Sequence, residues 1–173
     1  MTPTKFVKEF LPQAIETEKK TGIPGLAILS MAALESGWGR VAPGNMFFGV
    51  KDTDGLNGNE QLLTTTEFSR RNDLQFPVII SVTPVLRGNQ KWYRYRIKDY
   101  FRKYKSPEES FTDHANFLIR NKRYAKALEV KHDPSLFLAE VAKAGYATDP
   151  EYNNKLQSIL IKVSQLAEAQ KPE

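Results

Sequence analysis

The 173-residue chain contains no cysteine, so a disulfide framework, a cysteine nucleophile and a thiolate metal site are all excluded. It has two histidines, His114 and His132. They fall on separate expected segments, so a site of several imidazoles is not expected, and no metal or other cofactor is assigned. Long apolar runs are also missing. The longest, Ile23 to Leu34, is broken by Pro24, Gly25 and Ser30 and is too short to span a bilayer. Stable membrane insertion is therefore not expected. Met1 to Phe10 carries Lys5 and Lys8 but no apolar run of signal-peptide length follows. No internal repeat or low-complexity tract is present, which sets aside solenoid and fibrous architectures.

What is there is a globular balance: 40% apolar and 26% charged residues, enough length to bury a core without staples. The net charge of +5 favours an acidic partner such as a cell-wall polymer, nucleic acid or an anionic membrane face, and charge alone does not choose among them.

Helical periodicity covers Thr4 to Thr21, where Phe6, Phe10 and Ala14 recur at steps of four and Gly22 is placed to stop the helix. Pro12 is expected to kink it or to mark its true first turn. Pro24 reads as a first-turn proline for a second helix to about Ser36. From Arg40 to about Arg102 turn residues and β-branched or aromatic runs take over. Expected strands are Phe47 to Lys51, Gln61 to Phe68, Val78 to Val82 and Trp92 to Phe101, separated by turn pairs such as Gly88-Asn89. Helix returns after Lys105, opened by Ser106, Pro107 and Glu109. Shorter helices are expected over Arg123 to Glu129 and Pro134 to Ala144, then a last one from about Pro150 with Leu156, Ile159, Leu160, Val163 and Leu166 on one stripe. The expected architecture is α+β: a helical body of residues 1–40 and 103–173 with an inserted small antiparallel β-lobe of about residues 41–102.

One stretch carries chemistry. In Ala33-Leu34-Glu35-Ser36-Gly37-Trp38-Gly39 a carboxylate ends an otherwise apolar helix, at the negative end of the helix dipole. That position and its apolar neighbours favour the protonated carboxyl, as a general acid requires. The bland alternative is an exposed last-turn glutamate paired with Arg40. His114, beside Asp113, reads as a capped or core-edge histidine. Trp92, Tyr93, Tyr95 and Tyr100, interleaved with Lys91, Arg94, Arg96, Lys98 and Arg102, resemble a nucleic-acid stacking strand, and strand alternation explains them equally.

These residues and several further blocks resemble glycoside hydrolase family 73, the glucosaminidases of flagellar and autolysin type. The stretch around Glu35 looks like the family's catalytic-helix motif, and Asn45-Met46-Phe47-Phe48-Gly49-Val50-Lys51 like the segment that follows it. Phe101 to Tyr104, Ser110 to His114, Asn121 to Tyr124 and Ala144 to Pro150, with Tyr152 and Lys155, resemble later blocks. The resemblance runs from about Phe6 to Leu166. Several blocks in the correct order carry far more weight than any one alone.

The resemblance implies a lysozyme-like fold with a cleft between helical body and β-lobe, and Glu35 as proton donor. It places the second acidic residue at Glu67, within Thr65-Thr66-Glu67-Phe68, as base for water. Alternatively Glu67 is a solvated strand residue balanced by Arg70 and Arg71, with Asp73 or Asp99 in its place. Tyr146 and Tyr124 match tyrosines near the acid, or are helix-packing residues. Trp38 and Phe48 are expected to stack on sugar faces or to pack between the lobes, and Asn45 to bind an acetamido carbonyl. The implied activity is endo-β-N-acetylglucosaminidase on peptidoglycan glycan strands at the bacterial cell wall, in periplasm or outside, with no nucleic-acid partner and a monomer as default. Rival readings are an N-acetylmuramidase or lytic transglycosylase on the same fold, and a non-catalytic basic binder of cell wall or nucleic acid. Without a signal peptide, delivery by phage lysis, by a secretion system or as a domain of a larger protein is expected.

Overall fold

The computed structural model describes residues 1–172, which form six α-helices and a three-stranded antiparallel sheet. The α+β expectation is met. By proximity the chain divides into two compact units: Met1–Phe48 together with the chain from Tyr104 onward, and Gly49–Lys103.

In the helical unit, α1 (Pro3–Thr21) starts at Thr2, whose hydroxyl accepts from the Lys5 N–H, and stops at Gly22 in the left-handed region. Pro12 lies inside it, not at a boundary. It faces solvent, where the carbonyl its ring leaves unpaired can meet water, while Phe6, Val7, Phe10, Ala14 and Thr17 bury the opposite stripe. The next helix, α2 (Gly25–Ser36), begins one residue after Pro24, which occupies the cap and not the first turn. Nine of its twelve residues are buried. A helix apolar on all sides is a core helix, and α2 packs against α1 and α6.

The Ser106 hydroxyl accepts from the Glu109 N–H to open α3 (Pro107–Arg120), as its sequence predicts. A 3₁₀ turn, Lys122–Tyr124, then leads into the short α4 (Ala125–Glu129). Asp133 caps α5 (Pro134–Lys143), and α6 (Tyr152–Glu168) closes the chain with Leu156, Leu160 and Val163 buried. An aromatic core of Phe6, Phe10, Phe47 and Phe111 in edge-to-face contact fills the space between α1 and α3.

The sheet unit has strands β1 (Glu60–Ser69), β2 (Val78–Arg87) and β3 (Gln90–Arg102) in the order β1-β3-β2. β2 runs five residues beyond the expected Val82, through Pro84 to Arg87, and turns at Gly88-Asn89 into β3. Pro84 is tolerated because β2 is an edge strand. The expected strand Phe47 to Lys51 does not form: only Lys51 bridges to Phe101. Phe47 and Phe48 are consecutive and both buried in aromatic contacts of the helical unit, which a strand's alternation forbids.

Candidate active site

Glu35 is the penultimate residue of α2. The chain reverses immediately after it through three left-handed residues, Gly37 (φ 58°), Trp38 (φ 59°) and Gly39 (φ 76°). The Trp38 N–H donates to the Ala33 carbonyl at 2.7 Å, and the Ser36 hydroxyl splices the turn by donating to the Ala32 carbonyl and accepting from the Gly39 N–H. A left-handed tryptophan is strained. It is held by its edge-to-face contact with Phe6, 5.6 Å between centroids.

Solvent reaches Glu35, yet protein crowding its carboxyl desolvates the charged form and raises its pKa above the usual carboxylate range. The α2 carbonyls at this helix end act in the same sense. A hydrogen bond from the Tyr152 hydroxyl to Glu35 Oε1, at 3.4 Å, opposes the shift without cancelling it. Among the described residues Glu35 has no ion pair. Arg40, its partner in the alternative reading, donates instead to the Gly37 carbonyl.

Tyr152, the first residue of α6, belongs to an aromatic cluster. Its ring stacks on Tyr146 at 5.5 Å, and Tyr146 lies 6.2 Å from Tyr124 and edge-on to His114. The left-handed Gly145 (φ 86°) turns the chain to present Tyr146. His114 is stacked on Phe48 at 3.7 Å, and its Nε2 lies 3.2 Å from the Tyr146 hydroxyl. Burial pushes the His114 pKa down to about 3, so its ring is neutral near pH 7. Burial also raises the phenols of Tyr146 and Tyr152, with the charge of Glu35 adding to both. These hydroxyls remain protonated donors and do not serve as bases.

A carboxyl whose protonated form is favoured by desolvation, reached by solvent and flanked by phenol donors, is suited to give up a proton. A family model described as mannosyl-glycoprotein endo-beta-N-acetylglucosaminidase matches residues 11–165. The chain belongs to the glucosaminidase family. It is 33% identical over 165 residues to the peptidoglycan hydrolase FlgJ of Salmonella typhimurium, covering 91% of this chain and 45% of that protein. It is 31% identical over 153 residues to the exo-glucosaminidase LytG of Bacillus subtilis, covering 84% of this chain and 45% of that protein. The chain thus spans less than half the length of these curated relatives. The solved glycoside hydrolase domain of Salmonella typhimurium FlgJ superposes with a TM-score of 0.73 at 29% identity, covering 98% of this chain and 92% of that one. The catalytic domain of the Listeria monocytogenes autolysin Auto gives 0.69 at 28% identity, with 97% and 88% covered. The fold is lysozyme-like, and the chain is a glycoside hydrolase by family.

The glucosaminidase's helical unit gathers Glu35, Tyr124 and Tyr146 in one neighbourhood, with Trp38 three residues beyond the acid. Trp38 is half-buried. Phe48 and Tyr124 are 4% and 3% exposed, and one face of Phe48 is covered by His114, which leaves them walls more than open platforms. Asn45, left-handed at φ 59°, donates its side-chain N–H to the Tyr104 carbonyl at 3.0 Å. Glu67 lies in the sheet unit, on β1 opposite Tyr95, with the Lys51 ammonium 2.8 Å from it and 3.1 Å from Asp99. Asp73 is engaged by Arg71 at 2.9 Å. Among the described residues no group of three or more His, Asp or Glu side chains is arranged to hold a metal.

Two residues went unassigned by sequence reasoning. Tyr152 stands at the end of a recognisable block, but it is 117 positions from the glutamate it contacts, so no local pattern links them. His114 is a core-edge histidine as read, and also the partner of the Tyr146 hydroxyl.

Proposed function

We propose that the chain is an endo-β-N-acetylglucosaminidase that cuts peptidoglycan glycan strands at the bacterial cell wall, with Glu35 as general acid. The observation that carries the reading is the Glu35 carboxyl, solvent-reached, without a paired cation among the described residues and raised in pKa by desolvation. Protonated Glu35 delivers its proton to the glycosidic oxygen as the bond to the N-acetylglucosamine carbon breaks. Tyr152 then stabilises the carboxylate that remains, since its hydrogen bond favours the charged form. Tyr146, fixed by His114, is positioned to donate to the substrate's acetamido group. Trp38 offers an aromatic edge to a sugar face, Asn45 the second N–H of its amide to an acetamido carbonyl, and Phe48 and Tyr124 the wall behind them.

The oxocarbenium-like centre is met by water activated on Glu67, with inversion, or by the substrate's own acetamido oxygen, with retention. Lys51, shared between Glu67 and Asp99, holds these two like charges on one face of the sheet. Family membership and the wall-degrading names of the FlgJ relatives support the substrate.

The test is digestion of purified peptidoglycan by wild type and Glu35→Gln, followed by borohydride reduction and mass spectrometry. Reduced N-acetylglucosamine ends are expected from wild type, with release about 100- to 10,000-fold slower from the variant. Reduced muramic ends would move the cleaved bond, and release unchanged by Glu35→Gln would remove Glu35 from the mechanism.

A further inference from the structure

The excess positive charge of this chain is concentrated in the sheet. Residues 49–103 hold ten Lys and Arg against six Asp and Glu, leaving fifteen against fourteen elsewhere. Within the sheet it is sorted by face. Strand alternation puts Glu67 and Asp99 on the face that also carries the buried Tyr95 and Ile97. The opposite face presents Arg94, Arg96 and Lys98 from the central strand, all exposed. Across the ladder they are flanked by hydroxyls: Thr64 and Thr66 on β1, Ser81 and Thr83 on β2. At one end Arg87 and Arg70 continue the row. Among the described residues none of these five cations forms an ion pair, although neighbours such as Arg71 and Arg102 do. Surface cations usually gather local counter-charges, and here, among the described residues, the one side-chain hydrogen bond of the central three is from Arg96 to the Thr66 hydroxyl.

We infer that this outer face of the sheet is a second binding surface, for a linear phosphodiester polymer lacking nucleobases, of the kind attached to a cell wall. Three features select that chemistry. Alternate residues of one strand set cations roughly 6.6 Å apart, a pitch suited to one phosphate per short polyol unit and too close for stem-peptide carboxylates, which a whole disaccharide separates. Four of the five cations are arginines, whose planar fork matches phosphate oxygens two at a time, and the flanking hydroxyls suit a polyol. A single-stranded nucleic acid would need open aromatic faces for its bases. Of the three rings on this face two already hold a guanidinium, Arg87 lying 4.6 Å from the Phe68 ring centre and 5.2 Å from that of Trp92, and Arg70 5.6 Å from Trp92, which leaves a half-buried Tyr100 as the one ring without a cation over it among the described residues. A site on the face away from Glu67 would hold the enzyme on its substrate's surface between cuts, raising effective concentration without touching the chemistry.

The experiment measures binding of the full chain to poly(glycerol phosphate) by titration at several salt concentrations, for wild type and for the triple variant Arg94→Gln, Arg96→Gln, Lys98→Gln. Oligothymidylate, anionic phospholipid vesicles and polymer-free peptidoglycan serve as competitors. The expected result is salt-dependent binding that the variant weakens roughly tenfold to a hundredfold, with hydrolysis of soluble, polymer-free glycan fragments unchanged. That unchanged hydrolysis also reports that the variant is folded. Equal binding by the variant, or tighter binding of oligothymidylate or vesicles than of the polymer, would overturn the inference. Because binding is read without turnover, failure of the hydrolase assignment would appear separately, as no glycan release from any variant.

Discussion

Ionising Glu35 is harder in the folded chain than in the unfolded one, because desolvation raises its folded pKa. A carboxyl raised in this way adds stability that is complete below its unfolded pKa of about 4.3 and is lost as pH rises through the folded value. Glu35→Gln removes the ionisable group. Urea unfolding should therefore show the variant gaining on wild type at pH 7, with the gain shrinking towards pH 4. A gain that grows on acidification would contradict the desolvated carboxyl. Tyr152→Phe acts on the same group in the other direction. Its hydroxyl favours the carboxylate, so its loss should raise the Glu35 pKa further and move the alkaline limb of the pH profile of kcat/KM upward, as a series of initial rates would show. An unmoved limb would mean that the 3.4 Å contact is not felt by the acid. At this scale the sequence exposed the acid, whose place at an apolar helix end is visible locally. It could not expose Tyr152 as its partner, because only the packing of α6 against α2 joins them.

Elements deliver these residues, and α2 does so under a tight constraint. A Cβ built on Gly25 would meet the Ala14 carbonyl oxygen at 2.8 Å and Glu18 Oε2 at 3.0 Å, while the Gly25 N–H donates to that same Glu18 oxygen at 2.7 Å. A main-chain carbonyl inside α1 cannot swing aside as a side chain can. Gly25→Ala should accordingly cost roughly 1–3 kcal/mol in urea unfolding, whereas Gly49→Ala, whose Cβ would meet nothing within 4 Å, should be close to neutral. Equal effects would mean that α1 and α2 are free to separate. Helices were legible because caps and periodicity are local: Ser106 with Glu109 opened α3 where expected. Two misreadings had non-local causes. Phe47 to Lys51 looked like a strand by composition, but its phenylalanines were claimed by a distant aromatic core. The expected strand ended at Val82, short of Pro84, and only the sheet order, which leaves β2 on an edge, makes a proline in its second half acceptable.

Across the whole molecule, pH acts through two desolvated groups of opposite sign, the buried His114 and the solvent-reached Glu35. His114 is neutral in the fold with a pKa of about 3, against about 6.5 for an unfolded histidine. A depressed histidine favours the unfolded state on protonation, so stability falls as pH drops from 6.5 towards 3, by about 2 kcal/mol at pH 5. Glu35 works against this, since acidification relieves its cost. The two contributions therefore partly mask each other in wild type, and a Glu35→Gln background exposes the histidine alone. In that background, the stability lost between pH 6.5 and pH 5 should be steeper than in wild type, and adding His114→Phe should flatten it. Phenylalanine keeps a ring against Phe48 but leaves the Tyr146 hydroxyl without its imidazole partner, so absolute stability will shift as well. The slope with pH is the informative quantity, because a lost hydrogen bond lowers stability equally at both pH values while a lost titrating group changes only the difference. A slope that survives His114→Phe would place the acid sensitivity of this fold in another group.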